Sequence, residues 1–158
     1  MNENNDNYNF KNIAVGSSVG ILPVDAESFV PHHHPMLFVE RLLERVGDRA
    51  VAETTLPCDG IAVCNGQLLP EYFIELIAQT AALANGYDLF YENKPLTDGM
   101  LVGIDTFSFT AGACLGNVVR IETNKIFAFG PVNVIHGSVW DGDLQIASGE
   151  IKVWENVE

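Results

Sequence analysis

One stretch constrains the fold more than any other: Pro70 to Asn85, which reads Pro-Glu-Tyr-Phe-Ile-Glu-Leu-Ile-Ala-Gln-Thr-Ala-Ala-Leu-Ala-Asn. Proline suits the first turn of a helix, where its missing N–H leaves no bond unmade. Glu71 then sits at the positive end of the macrodipole, and Gly86 follows as a stop. The spacing predicts a helix of about four turns. It is apolar on nearly every face, so it must be enclosed rather than lie on a surface. A chain of 158 residues, 47% of them hydrophobic, can build one core around it and is too short for two domains.

The enclosing material reads as strands. Arg49 to Leu56 alternates, with Ala50, Ala52 and Thr54 facing opposite to Val51, Glu53 and Thr55, as a half-exposed strand does. Gly47-Asp48 is the turn before it, and Phe29 to Leu43 reads as a Pro-bounded turn or short helix feeding a strand. Beyond Gly99 come three or four strand-like runs, Met100–Thr110, Asn117–Phe129, Val132–Trp140 and Leu144–Glu155. They are parted by Gly112, Gly116, Gly130-Pro131 and Asp141-Gly142-Asp143, the last a hairpin signal. The expectation is an α+β domain in which a curved antiparallel sheet wraps around one long central helix. Residues 1–12, rich in Asn, are expected to form a flexible tail, and 13–158 the single domain.

Charge and motifs exclude several roles. Eight Lys and Arg against 21 Asp and Glu give −13, which repels nucleic acid and anionic membranes. The apolar stretches Leu68–Ala84 and Met100–Ile104 are short or broken by Pro70, Glu71, Glu75 and Gln79, so no membrane-spanning segment of about 20 residues is expected. No basic start precedes an apolar run at the N-terminus, and a cytoplasmic location is expected. Cys58, Cys64 and Cys114 lack a Cys-x-x-Cys pair, which argues against both a disulfide framework and a zinc ribbon. Neither Gly-x-Gly-x-x-Gly nor a phosphate loop occurs, and no cofactor is expected.

Glu75 is the residue of greatest chemical interest, an acid inside Tyr72-Phe73-Ile74-Glu75-Leu76-Ile77-Ala78-Gln79. Desolvation favours the neutral form of a carboxyl and fits it to give or take a proton near neutral pH. Gln79, one turn on, shares its face and is placed to hold it. The structural alternative is that Glu75 and Gln79 lie on a solvated stripe or satisfy a backbone group. His32, His33 and His34 invite a metal, but adjacent side chains diverge and do not converge on one ion; no metal site is expected. They remain either turn-capping residues or, for one of them, a proton-transfer group. His136 reads as a packing residue. Asn65-Gly66 reads as a turn before the helix, where backbone amides would face the carbonyl of a bound molecule. No Gly-x-Ser-x-Gly elbow supports a serine hydrolase, and Cys64 has no activating partner in sequence.

Three blocks in order, Val30-Pro-His-His-His-Pro-Met-Leu-Phe-Val-Glu-Arg41, Leu69-Pro-Glu-Tyr-Phe-Ile-Glu-Leu-Ile-Ala-Gln79 and Val102-Gly-Ile-Asp-x-Phe-x-Phe109, resemble the β-hydroxyacyl-acyl-carrier-protein dehydratases. The likeness spans roughly residues 24 to 155. It implies a hotdog fold, a dimer with two active sites at the subunit interface, and loss of water from a β-hydroxyacyl thioester on acyl carrier protein. Glu75 matches that family's helix carboxylate, which assists departure of the hydroxyl while a histidine from a Gly-His-Phe-Pro loop of the other subunit removes the α proton. Here the corresponding loop, Pro57-Cys-Asp-Gly-Ile-Ala-Val-Cys-Asn-Gly-Gln-Leu-Leu-Pro70, contains no histidine, and Glu71 replaces the family's glycine. The helix block is more similar to the divergent dehydratase-like proteins of aryl-polyene pathways, often paired with a second dehydratase-like subunit.

The expected residues are therefore Glu75, Gln79 and one of His32, His33 or His34 for catalysis, with Asp59 as an alternative base. Asp59, Asn65, Gly66, Pro70 and Tyr72 are expected around the substrate. Two other readings stand beside dehydration: an inactive hotdog subunit supporting an active partner, and a thioesterase in which the helix carboxylate activates water. The assembly is expected to be a homodimer, a higher oligomer, or a heterodimer with another hotdog protein. An acidic carrier would need a local basic patch, for which Arg41, Arg45, Arg49, Arg120 and Lys125 are the candidates.

Overall fold

The computed structural model describes residues 21–110 and 112–156. The tail expected over 1–12 lies outside the described residues. Strand β1 (Val24–Asp25) leads through a 3-10 turn (Ala26–Ser28) to the hairpin of β2 (Arg41–Val46) and β3 (Arg49–Thr55). A two-stranded hairpin, β4 (Val63–Cys64) and β5 (Gln67–Leu68), precedes the helix α1 (Pro70–Tyr91). The chain finishes with β6 (Gly99–Phe109), β7 (Val118–Phe129), β8 (Val132–Asp141) and β9 (Leu144–Glu155). The large sheet has seven strands in the order β1-β2-β3-β7-β8-β9-β6, every pairing antiparallel. It wraps α1 in the hotdog arrangement that the resemblance implies.

The helix earns its central place by what it buries. Tyr72, Phe73, Leu76, Ile77, Leu83 and Ala84 meet Leu42, Ala52, Leu56, Ile121, Val139 and Ile151 of the surrounding segments in one core. Gly137 and Gly149 face each other on β8 and β9. A Cβ at Gly137 would run into Ile77, and one at Gly149 into Thr106 and Phe107. Gly137 lets the sheet come in close beneath the helix, whereas Gly149 makes room for the neighbouring strand β6.

The expected end of the helix at Gly86 is corrected. The helix continues to Tyr91, and the chain leaves it through Asn93, held in the left-handed region at φ 54°. Asparagine tolerates that conformation and serves as the terminator in place of glycine. Gly86 is instead a point of close approach, where a Cβ would overlap the Phe29 carbonyl oxygen. Val51 also departs from the expected alternation: it is buried on the face opposite Ala50 and Ala52, leaving Arg49 and Thr55 exposed.

β1 and β6 are the two edges of the sheet. β6 is eleven residues long and, among the described residues, pairs with β9 alone, exposing Met100, Leu101, Val102, Ile104 and Phe109. Among the described residues, no helix is long and apolar enough to cross a membrane.

Candidate active site

A half-buried face of α1 carries Glu75, Ala78, Ala82 and Asn85, spaced at i, i+3, i+7 and i+10. These four line a cavity of about 160 Å³, together with Phe29, Pro31 and His32 from the N-terminal segment, Leu96, Thr97, Gly99, Met100 and Leu101 at and before the start of β6, and Val153 and Glu155 of β9. The small side chains leave room beside the helix, and the residues of β6 put the cavity against the free sheet edge. Glu75 is a third exposed rather than enclosed: 31% of its side chain is open.

Gln79 fixes the carboxylate. Its Nε2 donates to Glu75 Oε1 at 2.8 Å and to the Met36 carbonyl at 2.7 Å. Its Oε1 accepts from the Phe38 N–H at 2.8 Å and more distantly from Val39 at 3.4 Å. Only 1% of the residue is exposed, so its amide is both satisfied and shut away from water. The helix is thereby fastened to the segment that carries the histidines.

The three histidines go separate ways. His32 turns into the cavity, with Nε2 at 3.7 Å from Glu75 Oε1. His33 is exposed, and its carbonyl accepts from Met36 and Leu37 to close a turn. His34 lines a second, larger cavity of about 600 Å³ on the other side of the 34–41 segment. Asp59 and Tyr72 line that second cavity, where the Tyr72 ring lies 5.0 Å from Phe38. Burial pushes the Tyr72 phenol well above its ordinary value; a hydrogen bond with Thr54 works against this and the Glu40 carboxylate adds to it.

Within one chain the structure thus brings Glu75, Gln79 and His32 together and sets His34, Asp59 and Tyr72 apart from them. Asn65 and Gly66, at φ 52° and 73°, form the exposed tip of the β4–β5 hairpin and line neither cavity. Pro70 opens the helix and lines neither. Ala78, Ala82 and Asn85 were missed in sequence, although counting along the helix from Glu75 finds them. Among the described residues, no three His, Cys, Asp or Glu gather closely enough to hold a metal ion.

The expected basic patch does not form from its arginines. Arg41 is paired with Glu53, Arg45 with Asp88 at 2.6 Å, Arg49 with Glu44 and Glu122, and Arg120 with Glu122. Each guanidinium charge is met by a carboxylate, so little positive field remains for an acidic partner. Lys125 is the one of the five candidates without an ion pair among the described residues.

Residues 24–158 match the model of a family described as ApeP-like, the ApeP dehydratase. The 3-hydroxyacyl-[acyl-carrier-protein] dehydratase FabZ of Moorella thermoacetica is 29% identical over 147 residues, covering 84% of this chain and 96% of that protein. The structure of the dehydratase heterocomplex ApeI:P from Xenorhabdus doucetiae superposes with a TM-score of 0.76 at 19% identity, over 88% of this chain and 94% of that one. An uncharacterized protein of Pyrococcus horikoshii, PH1136, superposes at 0.63 and 16% identity, over 87% and 97%.

Proposed function

The chain belongs to the ApeP-like dehydratase family, and on that premise we propose that it removes water from a β-hydroxyacyl thioester carried on acyl carrier protein. Elimination needs a group that takes the proton α to the thioester carbonyl and a proton for the departing β-hydroxyl. The observation that supports this reading most is the approach of His32 Nε2 to Glu75 Oε1, 3.7 Å apart at the wall of the helix-side cavity. The gap is slightly longer than a hydrogen bond, and Gln79 holds the carboxylate steady beside it. The small apolar side chains that continue the cavity suit an acyl chain.

A cavity of about 160 Å³ falls below the roughly 300–1,000 Å³ of pockets that enclose a ligand. Its wall includes the start of β6, whose outer edge has no partner strand among the described residues. An unpaired apolar edge of this length is a template for another strand. A second hotdog subunit pairing along β6 would cover the exposed apolar residues and complete the cavity. The resemblance to dimeric dehydratases supports the same arrangement, and the ApeI:P heterocomplex is a precedent for unlike subunits.

The test is turnover of a β-hydroxyacyl-carrier-protein substrate, followed by the ultraviolet absorbance of the enoyl thioester. Glu75→Gln is expected to slow it by about 100-fold or more, the usual contribution of a positioned proton-transfer group. Unchanged turnover in that variant would overturn the assignment.

The 57–70 loop, which has no histidine, favours a second reading: a subunit that shapes a catalytic partner. No turnover by the chain alone, with activity gained on adding a second hotdog protein and unaffected by Glu75→Gln, is the outcome that would select it.

A further inference from the structure

The proposed elimination leaves open which group moves the proton, and the two nitrogens of His32 differ in a way that bears on this. Nδ1 is enclosed by the protein and, among the described residues, has no hydrogen-bond partner. Nε2 faces the cavity and the Glu75 carboxylate. A proton on Nδ1 would be a buried donor with nothing to accept it, and such a group bears its full desolvation cost. The imidazolium carries the same burden, because both of its nitrogens are donors. The ring is best satisfied neutral, with its one proton on Nε2, where an acceptor lies ahead of it.

The surroundings of Glu75 agree with this. Oε1 receives the Gln79 N–H at 2.8 Å and faces the His32 ring on its other side. With His32 in that form, both neighbours present N–H groups, which a carboxylate accepts. Neither of them is able to take a proton from Glu75 or from the substrate.

We propose that Glu75 is the sole proton carrier of the dehydration and that His32 is a neutral Nε2–H donor that positions the carboxylate and the substrate hydroxyl. This inference rests on the dehydratase reading above. The Glu75 carboxylate takes the α proton, and the Cα–H electron pair becomes the new bond between Cα and Cβ. The Cβ–O bond breaks with its electrons on oxygen, and the departing hydroxide takes the same proton from the Glu75 carboxyl. The products are the enoyl thioester and water, Glu75 is again a carboxylate, and His32 is unchanged.

Two measurements test the assignment. His32→Gln sets an amide nitrogen close to the position of Nε2 and cannot titrate, whereas His32→Ala removes the donor. The glutamine variant is expected to keep turnover within about tenfold of the native chain, and the alanine variant to lose about 100-fold, the scale of one positioned group in acid–base catalysis. A glutamine variant as slow as the alanine variant, with the native unfolding midpoint, would overturn the proposal. The second measurement needs no substrate. In a chain carrying His33→Gln, His34→Gln and His136→Gln, the one remaining imidazole is His32, and its ring nitrogens are read by nitrogen-15 NMR near neutral pH. The expected spectrum is that of a neutral ring protonated on Nε2; an Nδ1-protonated ring or an imidazolium overturns it. A native chain without any turnover fails the dehydratase reading instead, and the spectrum still decides the state of the ring.

Discussion

Gln79 and Glu75 are joined one helical turn apart, Nε2 to Oε1 at 2.8 Å, by an amide that also binds the Met36 carbonyl and the Phe38 N–H. One side chain therefore sets the orientation of the carboxylate and the path of the segment that bears His32. Replacing Gln79 by Leu roughly keeps the volume but leaves the part-buried Met36 carbonyl and Phe38 N–H without this partner. Each such group costs about 1–3 kcal/mol, so Gln79→Leu is expected to lower stability by roughly 3 kcal/mol in urea unfolding. Turnover should fall with it at temperatures where the variant is still folded. A loss below about 0.5 kcal/mol, the usual range of a neutral surface change, would show that the amide does not fasten these segments.

Gly86→Ala tests the close approach of the N-terminal segment to the helix. In an open helix this change gains about 1 kcal/mol of propensity. Here the new Cβ would overlap backbone, the Phe29 carbonyl oxygen, which has no flexible end to move aside. The expected result is a loss of about 2 kcal/mol or more, of the size seen for overpacked cores, read as a lower thermal midpoint. A stabilised variant would refute the contact.

Tyr72 gives the fold a dependence on alkaline pH. Its phenol is held above the ordinary value of 10.0 chiefly by burial, and Tyr87 is raised in the same direction for the same leading cause. Below about pH 10 both rings are protonated in the native and unfolded chains, and this part of the stability is fully present. Above it the unfolded chain releases those protons while the native chain keeps them, so stability falls as pH rises. Urea midpoints at about pH 9 and 11, either side of the ordinary value, should separate more for the native chain than for Tyr72→Phe, with a residual slope from Tyr87. Equal slopes in the two proteins would show that Tyr72 ionises as freely in the fold as outside it.

Assembly along β6 is tested at its open edge. Val102 is 52% exposed in the isolated chain and sits at an interruption of the β6–β9 register. A lysine there places charge on the seam without entering the core, a device that blunts natural edge strands. Val102→Lys is expected to give a single protomer in light scattering, with an unfolding midpoint no lower than that of the dissociated native chain. A native-sized assembly in the variant would place the seam elsewhere.

Much of the sheet was legible because its signals are local. The starts and ends of β6 to β9 fall within about one residue of the runs read from alternation and from turn glycines. The end of α1 was not legible, because a glycine needed for close packing and a glycine that terminates a helix look alike in sequence. Gly86 is the first kind, and Asn93 does the work assigned to it. The same division runs through the site. Glu75 and Gln79 could be paired in advance, since i and i+4 share a helix face. Choosing among His32, His33 and His34 required the path of the chain, which long-range contacts with Phe29 and Gln79 decide. Arg41, Arg45, Arg49 and Arg120 suggested a positive patch only because their carboxylate partners are mostly distant in sequence.

The run of three histidines crosses a wall between two compartments, with one imidazole on each side and the middle residue closing the turn between them. Both flanks of the run are anchored: Phe29 is packed against the helix, and the backbone of Phe38 is bound to Gln79. The stretch thus behaves as a ruler with fixed ends. Exchanging one of its residues alters a single compartment, whereas removing one shortens the span and changes what both compartments receive. It is the length of this segment, more than its richness in histidine, that carries the information.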